Sequence, residues 1–273
     1  MKKSILYSLF LLSCFVLNAQ YWTAQHFNVE NGLVDNYTFA IEKFQDEIYV
    51  ATDGGLVTFD GSDFKMHNKK EIRYPVSLLN VNDSILYVAS WLDGILAKNQ
   101  EEIKGSYPER INRILKYKDK YLIYNIYQRM ALLGFNSENK IDTIINLEEI
   151  HPNPNRIAID EHSIFVSKGK EIDEYDWKGV KKRVFPYKAT ETIETIKCVD
   201  KFLFFGDQHG NLTWVSKKNP AQKFTHHFKK PYTIKHIEAF GENQILVQLN
   251  HRAEYNTVSL ITFDETFSKI IKT

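Results

Sequence analysis

Nine histidines and 34 Asp and Glu residues are the raw material for metal or acid–base chemistry in this chain of 273 residues. Spacing decides whether they can act together. His226 and His227 are adjacent, so on a strand they would point to opposite faces and could not easily share an ion. A surface loop is the expected home for the pair. No His-Glu-x-x-His run and no zinc-like Cys/His spacing is present. A Gly-x-Ser-x-Gly turn, which would present a serine nucleophile, is also missing. No motif selects two of the carboxylates as an acid and base pair. Cys198 lies in Ile196-Lys197-Cys198-Val199 and reads as a small buried hydrophobe rather than a nucleophile. The residues predict no catalytic centre, no metal and no cofactor.

Recognition chemistry fits the sequence better. Ser90-Trp91-Leu92-Asp93-Gly94 sets a large ring in a turn, and Gly206-Asp207-Gln208-His209-Gly210 sets a histidine in another. Strands must hold such turns. From Asn31 to His67 the chain reads at period two as four short strands: Tyr37–Phe44, Ile48–Thr52, Leu56–Asp60 and Asp63–His67. Asp53-Gly54-Gly55 and Gly61-Ser62 supply the turns between them. The second strand recurs as IYVAT, LYVAS, YLIYN, IFVSK, LFFGD and ILVQL. Counted at Tyr49, Tyr87, Leu122, Phe165, Phe204 and Leu246, the intervals are 38, 35, 43, 39 and 42 residues.

A period near forty residues belongs to β-propellers, whose units are four-stranded sheets. The expectation is an all-β propeller of about six four-stranded blades, either complete or part of a seven-bladed ring. A β-sandwich with evenly spaced strands is the competing architecture, and no sustained 3.6-residue stripe supports a helical solenoid. Ile141–Ile150 reads either as a helical turn or as an outer strand. Two segments compete to be the outer strand of the last blade: Gln25–Val29, which would seal the ring, and Ser268–Lys272.

Composition agrees with many half-buried strands, since Phe, Trp and Tyr make up 14% of the residues. Residues 1–19 read as a secretory signal: Lys2 and Lys3, an apolar core over Ile5–Leu17, and a cleavage region at Leu17-Asn18-Ala19-Gln20. An uncleaved amphipathic anchor is the alternative, and Leu11-Leu12-Ser13-Cys14 is a poor lipoprotein box. The propeller domain is then 20–273, exported to the periplasm or beyond, with no apolar run of membrane-spanning length. Its remaining thiol, Cys198, has no disulfide partner within the chain, so packing must hold the fold. Without Lys2 and Lys3 the basic and acidic counts are 33 and 34, which gives no global field for nucleic acid or an anionic membrane.

The first repeat resembles the two-component regulator propeller family. The likeness rests on Asn31-Gly32-Leu33, Ile48-Tyr49-Val50-Ala51-Thr52-Asp53-Gly54-Gly55-Leu56, and Phe59-Asp60-Gly61 with Phe64. Tyr49 stands where that family typically has Trp, and Ala51 where it has Gly. The later units keep the spacing but lose most of the motif. The resemblance implies an extracytoplasmic sensory propeller, in relatives often followed by a membrane-bound kinase segment that this chain does not contain. The Ser-x-Asp-x-Gly-x-Thr-Trp repeats of sialidase-like propellers are absent.

In such a ring, the turns between second and third strands share a face with the links between blades. The turns would gather Asp53, Trp91, Asp93, Arg129, Lys170, Gln208, His209, His251 and Arg252, and the links Tyr107, Arg110, Asn155, Arg156 and Tyr232. Mixed charge with Trp and Tyr suits a small polar ligand or carbohydrate, or a loop of an exported protein, better than a lipid. Trp91 either contacts the ligand or plugs the central channel. A non-catalytic sensing or binding module is the expected function. A secreted lyase or glycan-active enzyme and a protein-binding scaffold are the alternatives, because one fold hosts many functions.

Overall fold

The computed structural model describes residues 27–67, 72–81, 83–99, 102–107, 111, 113–117, 120–125, 131–135, 141–146, 156–229, 232–251 and 257–273. Four consecutive strands make each sheet. The first contains β1 (Thr38–Phe44), β2 (Glu47–Thr52), β3 (Gly55–Phe59) and β4 (Phe64–Met66). The second has β5 (Pro75–Val81), β6 (Ile85–Ser90), β7 (Gly94–Asn99) and β8 (Glu102–Tyr107). The third has β9 (Arg113–Tyr117), β10 (Lys120–Asn125), β11 (Ala131–Phe135) and β12 (Ile141–Asn146). The fourth has β13 (Ile157–Ile159), β14 (Ile164–Lys168), β15 (Glu171–Tyr175) and β16 (Lys181–Val184). The fifth has β17 (Ile193–Val199), β18 (Phe202–Asp207), β19 (Asn211–Ser216) and β20 (Lys223–His227). The sixth has β21 (Thr233–Ala239), β22 (Gln244–Asn250), β23 (Thr257–Phe263) and β24 (Ile270–Lys272). Every pairing is antiparallel between chain neighbours, and the whole is an all-β propeller. The six motifs aligned in the sequence fall on β2, β6, β10, β14, β18 and β22, the second strand of each sheet.

The repeat is visible in the backbone. Gln45, Asp83, Asp200 and Gly241 lie between the first and second strands of four sheets, all in the left-handed region with φ of 56°, 54°, 48° and 83°. Reversing a strand in two or three residues needs that conformation, and short polar side chains tolerate it. Two expectations are decided here. Ile141–Asn146 forms an outer strand and not a helical turn, while 147–150 lie outside the described residues. The sixth sheet takes its outer strand from Ile270–Lys272, paired with β23. Of the competing segment, Gln25 and His26 lie outside the described residues, and Val29 opens a short 3-10 helix capped by Asn28.

Consecutive sheets pack face to face through apolar clusters. Phe44, Tyr49, Ala51 and Leu56 of the first meet Leu78, Leu86 and Val88 of the second. Ala89 and Ile95 then meet Ile114 and Ile123, and Leu122 meets Ile157, Ile164 and Val166. Phe165 and Ile172 meet Leu203, Phe205 and Val215, and Phe204 and Trp214 meet Ile234, Val247 and Phe263. Among the described residues no buried cluster joins the sixth sheet to the first. There the ring has a seam.

The faces on either side of the seam are still apolar. Ile41, Val50, Val57 and Met66 stand opposite one another across the first sheet. Leu33 packs on Val50 and Val57, and Phe27 packs on Phe59 and Phe64 with ring centroids 5.0 and 5.5 Å apart. Ile41, however, stays 67% exposed, and Ile48 and Met66 are exposed beside it. On the sixth sheet Val258 is 64% exposed and Leu260 and Ile271 are open.

Candidate central binding site

The site begins with an interruption of the strand period. In four sheets the innermost strand carries a β-bulge near its start: between Thr38 and Ala40, Pro75 and Ser77, Ile193 and Thr195, and Ile234 and His236. A bulge sets two residues against one partner and re-aims a side chain. The extra residues are Phe39, Val76, Glu194 and Lys235. Phe39, Val76 and Lys235 line a central cavity of about 680 Å³. Glu194 holds two cations nearby, Arg156 Nη2 at 3.2 Å and Lys235 Nζ at 3.7 Å.

Arg113, at the start of β9, borders this cavity and two adjoining ones of about 110 and 520 Å³. Burial pushes its guanidinium below the usual arginine value, and Glu238 opposes that shift. Glu238 accepts from Lys197 Nζ at 2.5 Å and lies 3.4 Å from His236 Nε2. Burial works against its charge, but His236 and Lys197 outweigh it and hold the carboxyl at about 2. Glu42 behaves the other way: burial raises it, Asp83 adds to the rise, and Lys116 opposes it. Lys116 donates to the Asn80 carbonyl at 2.9 Å, and Asp83 accepts from the side-chain amide of the same Asn80 at 2.5 Å. Across the three cavities, Arg113, Lys116, Lys197 and Lys235 face Glu42, Asp83 and Glu238, and in the main cavity itself two cations, Arg113 and Lys235, face two carboxylates, Glu42 and Glu238.

The turns expected to bind have varied fates. Trp91 lines the cavity mouth and is 41% exposed, so it borders the opening without filling it. Its backbone N–H donates to the Tyr74 carbonyl at 3.0 Å, as that of Asp53 does to Tyr37. Asp93 clamps the same turn. It accepts from the Arg73 backbone N–H at 2.7 Å and the Arg73 Nε at 2.9 Å, and from the Ser90 hydroxyl at 3.2 Å. Tyr37, Tyr74 and Leu92 are exposed around it.

Further round the face, Gln208 Nε2 lies 3.3 Å from His209 Nε2, which is 3.7 Å from Glu191. Lys170 donates to the Thr190 carbonyl at 2.5 Å. His251 packs edge-on against Tyr232 at 6.0 Å, and its Nδ1 is buried with no hydrogen-bond partner among the described residues. Arg129, Arg252, Arg110 and Asn155 lie outside the described residues, and Tyr107 ends β8.

Two placements differ from expectation or refine it. His226 and His227 sit on outer strand β20, not in a loop, opposite Leu212 and Asn211. His227 Nδ1 lies 2.8 Å from Asn211 Oδ1, and His226 meets the Phe228 ring edge at 4.8 Å. Cys198 lies on β17, where burial pushes its thiol up to about 12; a thiolate nucleophile is strongly disfavoured there. Missed altogether were Phe39, Glu42, Arg113, Lys235, His236 and Glu238 on the inner strands. The signal available was polar residues inside apolar runs, as in Ile234-Lys235-His236-Ile237-Glu238, which the bulge puts out of step with simple alternation.

No family model and no curated protein matches the sequence. Solved structures share its shape. The extracellular domain of a protein described as a one component system (BT4673), from B. thetaiotaomicron, has a TM-score of 0.61 at 14% identity. The match covers 82% of this chain and only 34% of that one. The WD40 domain of Neurospora crassa Pan2 gives 0.60 at 9% identity over 77% and 71% of the two chains. BamB from Moraxella catarrhalis gives 0.56 at 10% identity over 76% and 68%. At these identities the likeness shows the propeller fold and leaves function to the site. No helix among the described residues is long and apolar enough to cross a membrane.

Proposed function

We propose that the chain is the sensing propeller of an exported signalling protein, and that it binds a small ligand in its central cavity without transforming it. One observation carries this reading: the cavity is walled by both lips of the seam. Phe39, Ile41 and Glu42 come from the first sheet, and Lys235, His236 and Glu238 from the sixth. A ligand touching both lips has a different affinity for each seam width, which is what a binding event needs in order to shift a conformational balance. The ring is six units of the repeat, and its seam is the moving part. The extracellular domain noted above, whose protein is described as a one component system, supports a sensory role by fold alone.

The test combines a thermal-shift screen of sugars, amino acids and organic acids with hydrogen exchange. A true ligand raises the melting temperature and slows exchange in β1 and β21 more than in β14 and β18. A ligand that protects the outer turns and leaves those two strands unchanged would move the site to the loop face and end this reading. The exposed Tyr37, Tyr74, Trp91 and Leu92 favour a protein-binding scaffold as the second reading.

A further inference from the structure

Two aromatic residues sit on backbone with positive φ, Tyr74 at 50° and Phe267 at 56°. A side chain of that size enters the left-handed region only under strain. At Tyr74 the strain is compounded by Pro75, because a residue before proline is otherwise driven towards extended backbone. The two cases differ in what the ring gains. Phe267 is 2% exposed and packs on Phe202 and Phe263 at 5.5 and 5.1 Å, so burial offsets its strain. The Tyr74 ring stays 46% exposed, and no such burial offsets the strain there.

The Tyr74 backbone is nevertheless pinned. Its carbonyl accepts from the Trp91 N–H at 3.0 Å. One residue earlier, the Arg73 carbonyl accepts from the Ser90 hydroxyl, while the Arg73 backbone N–H and Nε donate to Asp93 at 2.7 and 2.9 Å. Ser90 Oγ accepts in turn from the N–H groups of Leu92 and Asp93 at 3.1 and 2.9 Å. The result is a fixed platform that presents Tyr74, Trp91 and Leu92 to solvent. Strain that persists because its surroundings over-determine it clusters at functional surfaces.

The same bonds narrow the class of partner. Ser90 is fully buried and the Asp93 side chain is only 14% exposed, and both are engaged within the turn. A glycan laid on the rings needs polar groups to receive its hydroxyls as they leave water, whereas an uncharged protein surface does not. Trp and Tyr are also the residue types that dominate protein–protein hot spots, since they offer large contact area with little conformational freedom to lose. We propose that Tyr74, Trp91 and Leu92 form a docking site for a protein partner, which contributes an uncharged segment rich in aliphatic or aromatic side chains. This adds a docking partner to the sensing role and holds whichever ligand fills the central cavity.

Panning a random phage-displayed peptide library on the full chain, then calorimetry with synthetic copies of the selected peptides, tests the site. Trp91 also borders the cavity, so the deciding variants are Tyr74→Ala and Leu92→Ser. The selected peptides should be poor in charge, and each variant should weaken them at least ~10-fold, the loss of one hot-spot contact. Val180→Ser, which removes an exposed aliphatic side chain from a turn of the fourth sheet, should leave them unchanged. Tyr74→Gly should lose the peptides as Tyr74→Ala does, yet melt at a higher temperature than the alanine variant, since glycine takes a positive φ freely. A side chain that served only the fold would not give that combination.

The proposal is overturned if no peptide is selected, if the selected peptides are highly charged, or if they keep full affinity for both deciding variants. Equal weakening by Val180→Ser would mean indiscriminate adhesion and overturn it too. Maltoheptaose that binds the unaltered chain and is lost from Tyr74→Ala would give the platform to a glycan instead. A glycine variant that melts no higher than the alanine variant would remove the strain on which the inference stands. None of these outcomes touches the cavity reading, which is decided by protection of β1 and β21.

Discussion

Trp214 shows how one polar atom fixes the packing of an aromatic interior. Its indole stacks on Phe204 at 5.8 Å and 11°, while Nε1 donates to the Phe267 carbonyl at 2.6 Å. That bond spans 53 residues and ties β19 to the turn before β24. Trp214→Phe keeps most of the apolar area but orphans a buried carbonyl. The expected cost is about 1–3 kcal/mol, measurable as a lower urea midpoint at unchanged slope. Glu42 makes a prediction of opposite sign. Its folded-state pKa is raised, so the folded protein is penalised wherever the group is ionised. Glu42→Gln should therefore raise the melting temperature at neutral pH. The gain should fade as pH falls through the raised folded value towards the usual glutamate range, where both states carry a neutral group. An equal gain at pH 3 would point to packing instead of charge. Glu238, held at about 2, contributes stability that is present above the ordinary glutamate value and lost as pH falls through its folded value. Of these residues Trp214 was legible as part of a strand, but Glu42 and Glu238 were not legible as a site. Glu42 is set by Asp83 and Lys116 from the next two sheets and Glu238 by Lys197 from the preceding one, contacts between repeats that the sequence within one repeat does not record.

Strands and turns were far more readable, because their signals are local. Alternation placed β2, β6 and β18, and Asp-Gly and Gly-Gly pairs placed the turns. The four bulges were invisible for the same reason: one added residue disrupts alternation only where a partner strand is known. Phe39, Glu194 and Lys235 were therefore missed as a group, while Trp91, in a turn, was found. The interface between the fifth and sixth sheets gives the sharpest prediction about elements. A Cβ added at Gly206 would lie 2.3 Å from Ile234 Cγ2 and 2.4 Å from its Cβ, so β18 and β21 can approach only with glycine there. Gly206→Ala should cost about 1–3 kcal/mol by overpacking. Combined with Ile234→Ala its effect should be clearly less than additive, which a double-mutant cycle by chemical denaturation would show. Additive losses would mean that the backbone relaxes elsewhere.

At the level of the whole ring, a propeller's sheets are held by their neighbours, as in other repeat proteins, and the seam makes the two end sheets unequal to the rest. Phe204, fully buried in the cluster between the fifth and sixth sheets, should cost about 3–5 kcal/mol when changed to Ala. Ile41→Lys and Val258→Lys, on the exposed faces beside the seam, should stay within about 0.5 kcal/mol. Large losses at the latter pair in thermal melts of the isolated chain would mean that those faces are covered in solution. The repeat spacing revealed the four-stranded unit, but the seam appears only once the end sheets are compared. Its mechanical consequence follows from shape. Each sheet radiates from β1 or β21 at the hub to β4 or β24 at the rim, three strand spacings or about 14 Å further out. A split washer pried apart near its bore gapes most at its circumference. A shift of a few tenths of an ångström at the hub is therefore enlarged at the rim, so a pair of spin labels on β4 and β24 should register occupancy with greater amplitude than a pair at the hub.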